Sequence, residues 1–264
     1  MTAPLETIAS LFGVALVAGA VDAIAGGGGL LTVPALLLAG LDPVAAIATN
    51  KLQGAAGTVS ASIAFARRRL IAWRAAAPIA LAAALASVAG ALSVTHVARA
   101  ALEVAVPVAL VAIALYFATA RRLGEADVRA RMRPLPFALL VAPAIGFYDG
   151  VFGPGAGSFY AIGFVSLLGL GIVRATAQTK LANAASNLGS LALYAATGAV
   201  LWPVGLAMAA GAILGAQIGS ALAVRLGARL IRPLLVAISC AMALRLLLDP
   251  ANPLRRAVAG WWGG

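Results

Sequence analysis

Long apolar stretches follow one another along almost the whole of this chain of 264 residues. A helix needs roughly 20 apolar residues to cross the hydrocarbon core of a bilayer, and many of these stretches reach that length. Hydrophobic residues make up 63% of the sequence and charged residues only 10%, whereas soluble domains carry about 25% charged residues. No alternation of polar and apolar residues supports membrane-spanning strands. The sequence therefore predicts an all-α polytopic membrane protein.

The apolar segments fall into two sets that repeat one plan. Each set has a segment ending in a glycine-rich break, a short apolar segment, a helix with one lysine, and two further spans. The predicted segments are Leu5–Ala25, Leu30–Ala39, Val44–Ala66, Ala75–Val97 and Ala101–Ala120, then Leu135–Phe152, Ser158–Leu170, Val173–Val200, Pro203–Leu226 and Ile231–Leu248. A charged loop, Arg121–Arg133, separates the sets, so we expect a first membrane repeat over 1–125 and a second over 126–264.

Matched residues at a constant spacing show that this is an internal repeat. Lys51 and Lys180 are the only two lysines in the chain. The spacing between them recurs in three further pairs, which are Trp73 with Trp202, Ala86 with Gly215, and Gly90 with Gly219.

Loop charge predicts that the two repeats have opposite orientations in the membrane. After the lysine helix the first half has Arg67–Arg69 and Arg74, whereas the second half has no basic residue there. After the next helix the bias is reversed, because the second half has Arg225, Arg229 and Arg232. Basic loops stay on the cytoplasmic side, so a swapped bias indicates inverted-topology repeats. Each repeat would be a Gly-broken helical hairpin or helix pair followed by three transmembrane helices, in a multi-pass protein of the bacterial inner (cytoplasmic) membrane.

The glycine-rich breaks are the first candidate site. Gly26–Gly29 follows Asp22, and Gly153–Gly157 follows Asp149. Interrupted helices in paired positions mark the binding sites of many transporters, because the free N–H groups and positive dipole ends attract anions. The candidate residues at the breaks are Gly27, Gly28, Gly155 and Gly157. The alternative is a tight turn with close helix packing.

The two lysines are the sharper signal, because a cation within a membrane span is costly and usually functional. We expect Lys51 and Lys180 to neutralise an anion near the middle of the membrane. The alternative is structural pairing, of Lys51 with Asp22 and of Lys180 with Asp149. Asp22 and Asp149 are also candidates for carrying a coupling proton.

Polar residues on the lysine helices complete the predicted site. Buried Asn and Gln side chains are costly in a membrane, which favours Asn50, Gln178 and Asn183 as ligands of a substrate, with Thr49 and Thr179 beside the lysines. Further polar neighbours on these helices are Gln53, Thr58, Ser186 and Asn187.

The sequence shows no metal-ligand spacing, nucleophile elbow or phosphate-binding loop. It therefore predicts no metal, no cofactor, no enzymatic activity and no ATP-driven transport within this chain. The net charge of +11 comes mostly from arginines in short loops, which is typical of membrane topology and not of a nucleic-acid partner.

Several of these motifs resemble those of the TauE/SafE family of membrane permeases, also called the sulfite exporter or toluene-sulfonate uptake permease family. The matching stretches are Val21–Gly29 leading to Pro34, Gly40–Pro43, Ala48–Leu52, Gly146–Gly157 and Gln178–Leu181. The resemblance implies an inverted-repeat secondary carrier of small sulfur-containing anions such as sulfite, sulfonates or sulfoacetate, without a cofactor. The two halves differ where Thr179 takes the place of Asn50.

These observations together predict a secondary transporter, an exporter of sulfur-containing anions, whose partners are the substrate and the lipid bilayer. Rocking of the two halves about a fixed site would give alternating access. Two alternatives stay open, namely an anion channel and a non-transporting scaffold whose Lys–Asp pairs are structural.

Overall fold

A computed structural model describes residues 4–93 and 126–248, and these two ranges form nine helices without a strand. The helices are α1 Leu5–Ala25, α2 Gly29–Leu38, α3 Pro43–Arg67, α4 Trp73–Leu92, α5 Pro134–Val151, α6 Ala156–Ser166, α7 Ile172–Ala196, α8 Trp202–Leu226 and α9 Ala228–Leu248. The prediction of an all-helical membrane protein is confirmed. The predicted span Ala101–Ala120 and the end of Ala75–Val97 lie outside the described residues.

Within the described ranges, four helices are long and apolar enough to cross a membrane, namely α1, α4, α5 and α8. The lysine helices α3 and α7 are 25 residues long, and each has a buried face that carries polar side chains. The expected end of α7 at Val200 is wrong, because the helix ends at Ala196 in a Schellman motif. There Gly198 has φ 72°, and the N–H of Ala199 donates to the Tyr194 carbonyl.

Aspartate side chains accept hydrogen bonds at the starts of both lysine helices. Asp42 caps α3, since its Oδ1 accepts from the N–H groups of Val44 at 3.0 Å and Ala45 at 3.1 Å. Pro43 then occupies the first helical position, where its missing N–H is tolerated. At the start of α7, Asp127 from the loop between the halves accepts from the N–H of Gly171 at 2.8 Å. Both starts satisfy N–H groups that a helix leaves unpaired.

Six helices pack side by side in the order α1, α8, α3, α7, α4, α5. Helix α8 of the second half therefore lies between α1 and α3 of the first, and α4 lies between α7 and α5. Repeat-equivalent glycines make matching close approaches. A Cβ on Gly219 would overlap the Ala20 carbonyl, and one on Gly90 would overlap the Phe147 carbonyl. The two sequence halves are thus interleaved, with α3 and α7 at the centre of the row.

The short helices α2 and α6 bring the two glycine breaks together. A Cβ on Gly26 would lie 2.7 Å from the backbone carbon of Gly157, and the Ser158 hydroxyl donates to the Gly26 carbonyl at 3.0 Å. Glycine is needed at this crossing because any side chain would push the two backbones apart. The breaks of the two halves therefore meet beside the central helices.

Candidate functional site

A small cavity of about 30 Å³ lies where the two breaks meet the lysine helices. That volume holds about two water molecules, so only a small ligand fits without rearrangement. Its wall comes from both halves and is formed by Gly19, Asp22, Gly27, Gly28, Gly29, Asn50, Gln53, Gly54, Gly57, Thr58, Asp149, Gly153, Gly155, Ala156, Gly157, Asn183 and Asn187.

The cavity wall offers neutral hydrogen-bond donors. Gly29 and Gly157 stand in the first turns of α2 and α6, and their backbone N–H groups have no acceptor among the described residues. Such groups at a helix start carry partial positive charge. The side chains of Asn50 and Asn183 are each 6% exposed and lie in the same wall. Helix starts and buried amides together make a surface suited to a small anion.

The lysines are paired across the two halves, and the predicted pairing within each half is wrong. Lys51 Nζ lies 2.7 Å from Asp149 Oδ1, and Lys180 Nζ lies 3.2 Å from Asp22 Oδ2. Each ammonium also donates to the backbone carbonyl of its aspartate. The end of α5 therefore reaches α3, and the end of α1 reaches α7, beside the point where the two glycine breaks meet.

Both lysines are fully buried, and neither lines the cavity. Lys51 follows Asn50 in sequence, but successive residues point about 100° apart around a helix. The amide of Asn50 therefore lines the cavity while the lysine reaches the neighbouring aspartate.

The two aspartates do line the cavity, and further donors hold each of them. Asp22 Oδ1 accepts from the N–H groups of Gly27 at 3.0 Å and Gly28 at 3.1 Å. The Ser186 hydroxyl donates to Asp149 Oδ2. The N–H groups of Gly27 and Gly28, predicted as substrate ligands, are thus occupied by a carboxylate. Two lysines and two aspartates form a set whose charges cancel.

The remaining predicted residues divide between the cavity and its surroundings. Gly155 and Gly157 line it, whereas Thr49, Gln178 and Thr179 do not. Thr49 instead accepts from the backbone N–H of Leu201 at 3.1 Å, which ties α3 to the start of α8. Gln178 Oε1 and Thr179 Oγ1 are buried and have no partner within the described ranges.

Several residues of the wall were not ranked as site residues from the sequence. In α3 these are Gln53, Gly54, Gly57 and Thr58, and in α7 Asn187. With Asn50, the α3 residues recur at intervals of three and four, so they share one face of the helix. That spacing was a usable signal, since it marks a polar and small-residue face on an otherwise apolar helix.

The described residues contain no group of three or more His, Cys, Asp or Glu side chains that could hold a metal ion. The arrangement instead combines neutral donors with two lysine–aspartate pairs. Chemically, it offers hydrogen bonds to a small polar ligand.

Comparison with known proteins places the chain in a family. The family model described as "Sulfite exporter TauE/SafE" matches residues 11–246. The chain belongs to the TauE/SafE family.

Curated relatives of this TauE/SafE chain are named as membrane transporters. The "Probable membrane transporter protein ORF9" of a Sinorhizobium species is 49% identical over 94% of this chain and 95% of its own length. The "Probable membrane transporter protein YfcA" of Escherichia coli K12 is 46% identical over 94% and 92%, and a relative of the same type in Haemophilus influenzae is 43% identical over 93% and 96%. No solved structure matches the chain. Family and relatives show a multi-pass membrane transporter that works in a lipid bilayer.

Proposed function

We propose that this protein is a secondary transporter, an exporter, that carries small sulfur-containing anions such as sulfite, sulfonates or sulfoacetate across the bacterial inner membrane. The observation that carries the proposal is a small cavity at which two helix starts and two buried asparagines meet. The family description, which names sulfite export, supports the sulfur oxyanion as cargo.

In this proposal neutral donors contact the anion and the lysines act through the aspartates. Asn50 and Asn183, with the N–H groups of Gly29 and Gly157, supply hydrogen bonds to the oxygens of the ligand. Two unpaired carboxylates in the wall would repel an anion, since Coulomb energies are large in a medium of low dielectric constant. Lys51 and Lys180 remove that repulsion, which is how they neutralise the site without lining it.

Alternating access is proposed to come from movement between two sets of helices, α1–α8–α3 and α7–α4–α5. Both Lys–Asp pairs cross from one set to the other, because Lys51 on α3 contacts the end of α5 and Lys180 on α7 contacts the end of α1. Separation of the sets would stretch or break these pairs. The exchange of equivalent contacts between 1–125 and 126–264 supports inverted repeats, the arrangement in which such carriers rock about a central site.

Coupling is proposed to act through Asp22 and Asp149 or through the membrane potential. Protonation of either carboxylate would weaken its hold on a lysine and so favour separation of the helix sets. The potential acts on any net charge that crosses, and in a cell that is negative inside it favours the export of anions.

The first test is a thermal-shift screen of the purified protein against sulfite, thiosulfate, sulfoacetate, methanesulfonate, sulfate and acetate. A ligand present at 100 times its Kd stabilises the folded state by about 2.7 kcal/mol. We expect a sulfur oxyanion to stabilise the wild type, and Asn50→Leu and Asn183→Leu to lose the effect while staying folded. Ser190→Ala is the matched control, because that buried hydroxyl bonds only to carbonyls of its own helix.

Flux measurements then separate a carrier from a channel. Proteoliposomes preloaded with the unlabelled anion should accumulate the labelled anion transiently, because a carrier exchanges one for the other across the membrane. A channel with a continuous pore gives no such counterflow. Stabilisation by none of the anions would contradict the proposed substrate class, and binding without any flux would favour a non-transporting protein.

A further inference from the structure

We propose that Asn187 is a positioning residue that turns the amide of Asn183 so that its NH₂ group, and not its oxygen, faces the cavity. The site is then selective for small oxyanions that offer hydrogen-bond acceptors only. This inference rests on the anion site proposed above and concerns the direction of hydrogen bonding within it.

The orientation of Asn187 is set by a backbone group. Its Nδ2 lies 2.8 Å from the backbone carbonyl oxygen of Asn183, one turn earlier on α7. A carbonyl oxygen can only accept, so the NH₂ end of Asn187 must be the end that faces it. Asn187 is only 6% exposed, so bulk solvent does not compete for this hydrogen bond.

The orientation of Asn183 follows from that of Asn187. The same Nδ2 lies 3.0 Å from Asn183 Oδ1, so the oxygen of Asn183 is turned toward Asn187. Asn183 Nδ2 is then on the opposite side, within 3.4 Å of a Cβ placed on Gly157, and Gly157 lines the cavity. This NH₂ group has no acceptor among the described residues, and Asn183 is only 6% exposed. An unpaired donor in such a place is costly unless a ligand or water accepts from it.

The first half cannot supply the same pair of side chains. At the positions equivalent to Asn183 and Asn187 it has Gly54 and Thr58. The Thr58 hydroxyl donates to the carbonyl of Gly54 within its own helix. Gly54 instead leaves space for the pair, since a Cβ there would lie 3.1 Å from Asn187 Oδ1.

A second amide in the wall, that of Asn50, also has its NH₂ group at the cavity. The Thr32 hydroxyl on α2 lies 2.5 Å from Asn50 Oδ1, and Asn50 Nδ2 lies 3.5 Å from a Cβ placed on Gly29, which lines the cavity. Two amide donors, one from each half, therefore serve one small cavity. An oxyanion without N–H or O–H groups can accept hydrogen bonds from both amide NH₂ groups. A ligand whose own donor points at one of these NH₂ groups instead places two donors against each other.

Methanesulfonate and methanesulfonamide are suitable probes, because they differ mainly in the exchange of an anionic oxygen for an NH₂ donor. We expect the wild type to bind methanesulfonate and to discriminate against the amide. Asn183→Leu should weaken methanesulfonate binding about tenfold or more, the effect of losing one hydrogen bond to a charged group. Asn187→Leu should weaken it by a smaller factor and reduce the discrimination between the two probes.

A double-mutant cycle measured by titration calorimetry tests the positioning role. If Asn187 acts through Asn183, the double variant Asn183→Leu/Asn187→Leu binds no more weakly than Asn183→Leu alone. Ser190→Ala, one turn from Asn187 and outside the cavity wall, should bind like the wild type. Should Asn187→Leu fail to fold, Asn187→Thr serves in its place, since it introduces the residue type that the first half has at 58.

The outcomes distinguish this inference from the proposed function. Losses that add in the double variant, or an Asn187 variant with unchanged discrimination, overturn the positioning role while the anion site stands. If the wild type binds none of the sulfur oxyanions, the proposed function is wrong and the positioning role is overturned with it.

Discussion

At the scale of single residues, the crossed Lys–Asp pairs are the main polar contacts within the bundle. Lys51 and Asp149 have side-chain exposures of 1% and 2%, and Lys180 and Asp22 of 0% and 17%. Removing one partner of such a pair leaves the other charge buried and uncompensated, which typically costs about 3–5 kcal/mol. Replacing both partners by neutral residues costs much less. The partner of each lysine can therefore be identified by which second substitution restores the stability that the first substitution removed.

We predict that Lys51→Met lowers the free energy of unfolding by about 3–5 kcal/mol and that adding Asp149→Asn recovers most of the loss. The matched control is Lys51→Met with Asp22→Asn, which removes a charge from the other pair and should not recover stability. Thermal unfolding of the purified variants in detergent gives the comparison. Recovery with Asp22→Asn instead would show that the pairing runs within each half.

At the scale of helices, small residues allow the interleaved packing. Helix α8 approaches α1 through Gly219, and α4 approaches α5 through Gly90, at backbone-to-backbone contact. Lipid removes the usual hydrophobic drive for helix association, so close van der Waals packing between small residues takes its place. A methyl group added at either contact has no room, because the neighbouring atom is a backbone carbonyl and cannot rotate away.

We predict that Gly219→Ala destabilises the protein by about 1–3 kcal/mol, the usual effect of overpacking. Gly13→Ala on α1 is the control, since a Cβ there meets nothing within 4 Å and alanine favours the helix. Melting temperatures of the two variants should therefore move in opposite directions. An unchanged melting temperature for Gly219→Ala would mean that α1 and α8 are not in close contact.

At the scale of the whole molecule, the proposed inversion of the two halves has a direct consequence for topology. The loop after α3 and the loop after α7 are repeat equivalents, so inversion places them on opposite sides of the membrane. Arg67 and Thr197 are exposed residues at these two loops. The arginines after α3 predict that its loop is cytoplasmic.

We predict that a membrane-impermeant maleimide labels Thr197→Cys in intact cells and labels Arg67→Cys only after the membrane is permeabilised. Both variants are built on Cys240→Ser, because Cys240 is the only cysteine of the chain and is exposed. Labelling of both positions from the same side would contradict inversion.

Much of this protein was determined by the sequence alone. The lengths of the apolar runs predicted the helices to within a few residues, because a bilayer requires spans of a set length. The glycine breaks and the repeat placed the candidate site near Asp22 and Asp149, both of which line the cavity. These signals are local, so they survive without knowledge of which helices are neighbours.

Only the tertiary structure decided which aspartate pairs with which lysine. Two equivalent lysines and two equivalent aspartates can pair within or across the halves, and their sequence positions do not distinguish the two choices. In the structure each lysine lies beside the aspartate of the other half. Likewise, Asn50 and Asn183 line the cavity, whereas Lys51 and Lys180 do not. The side of a helix that faces a cavity depends on how the helix is rotated against its neighbours, and long-range packing sets that rotation.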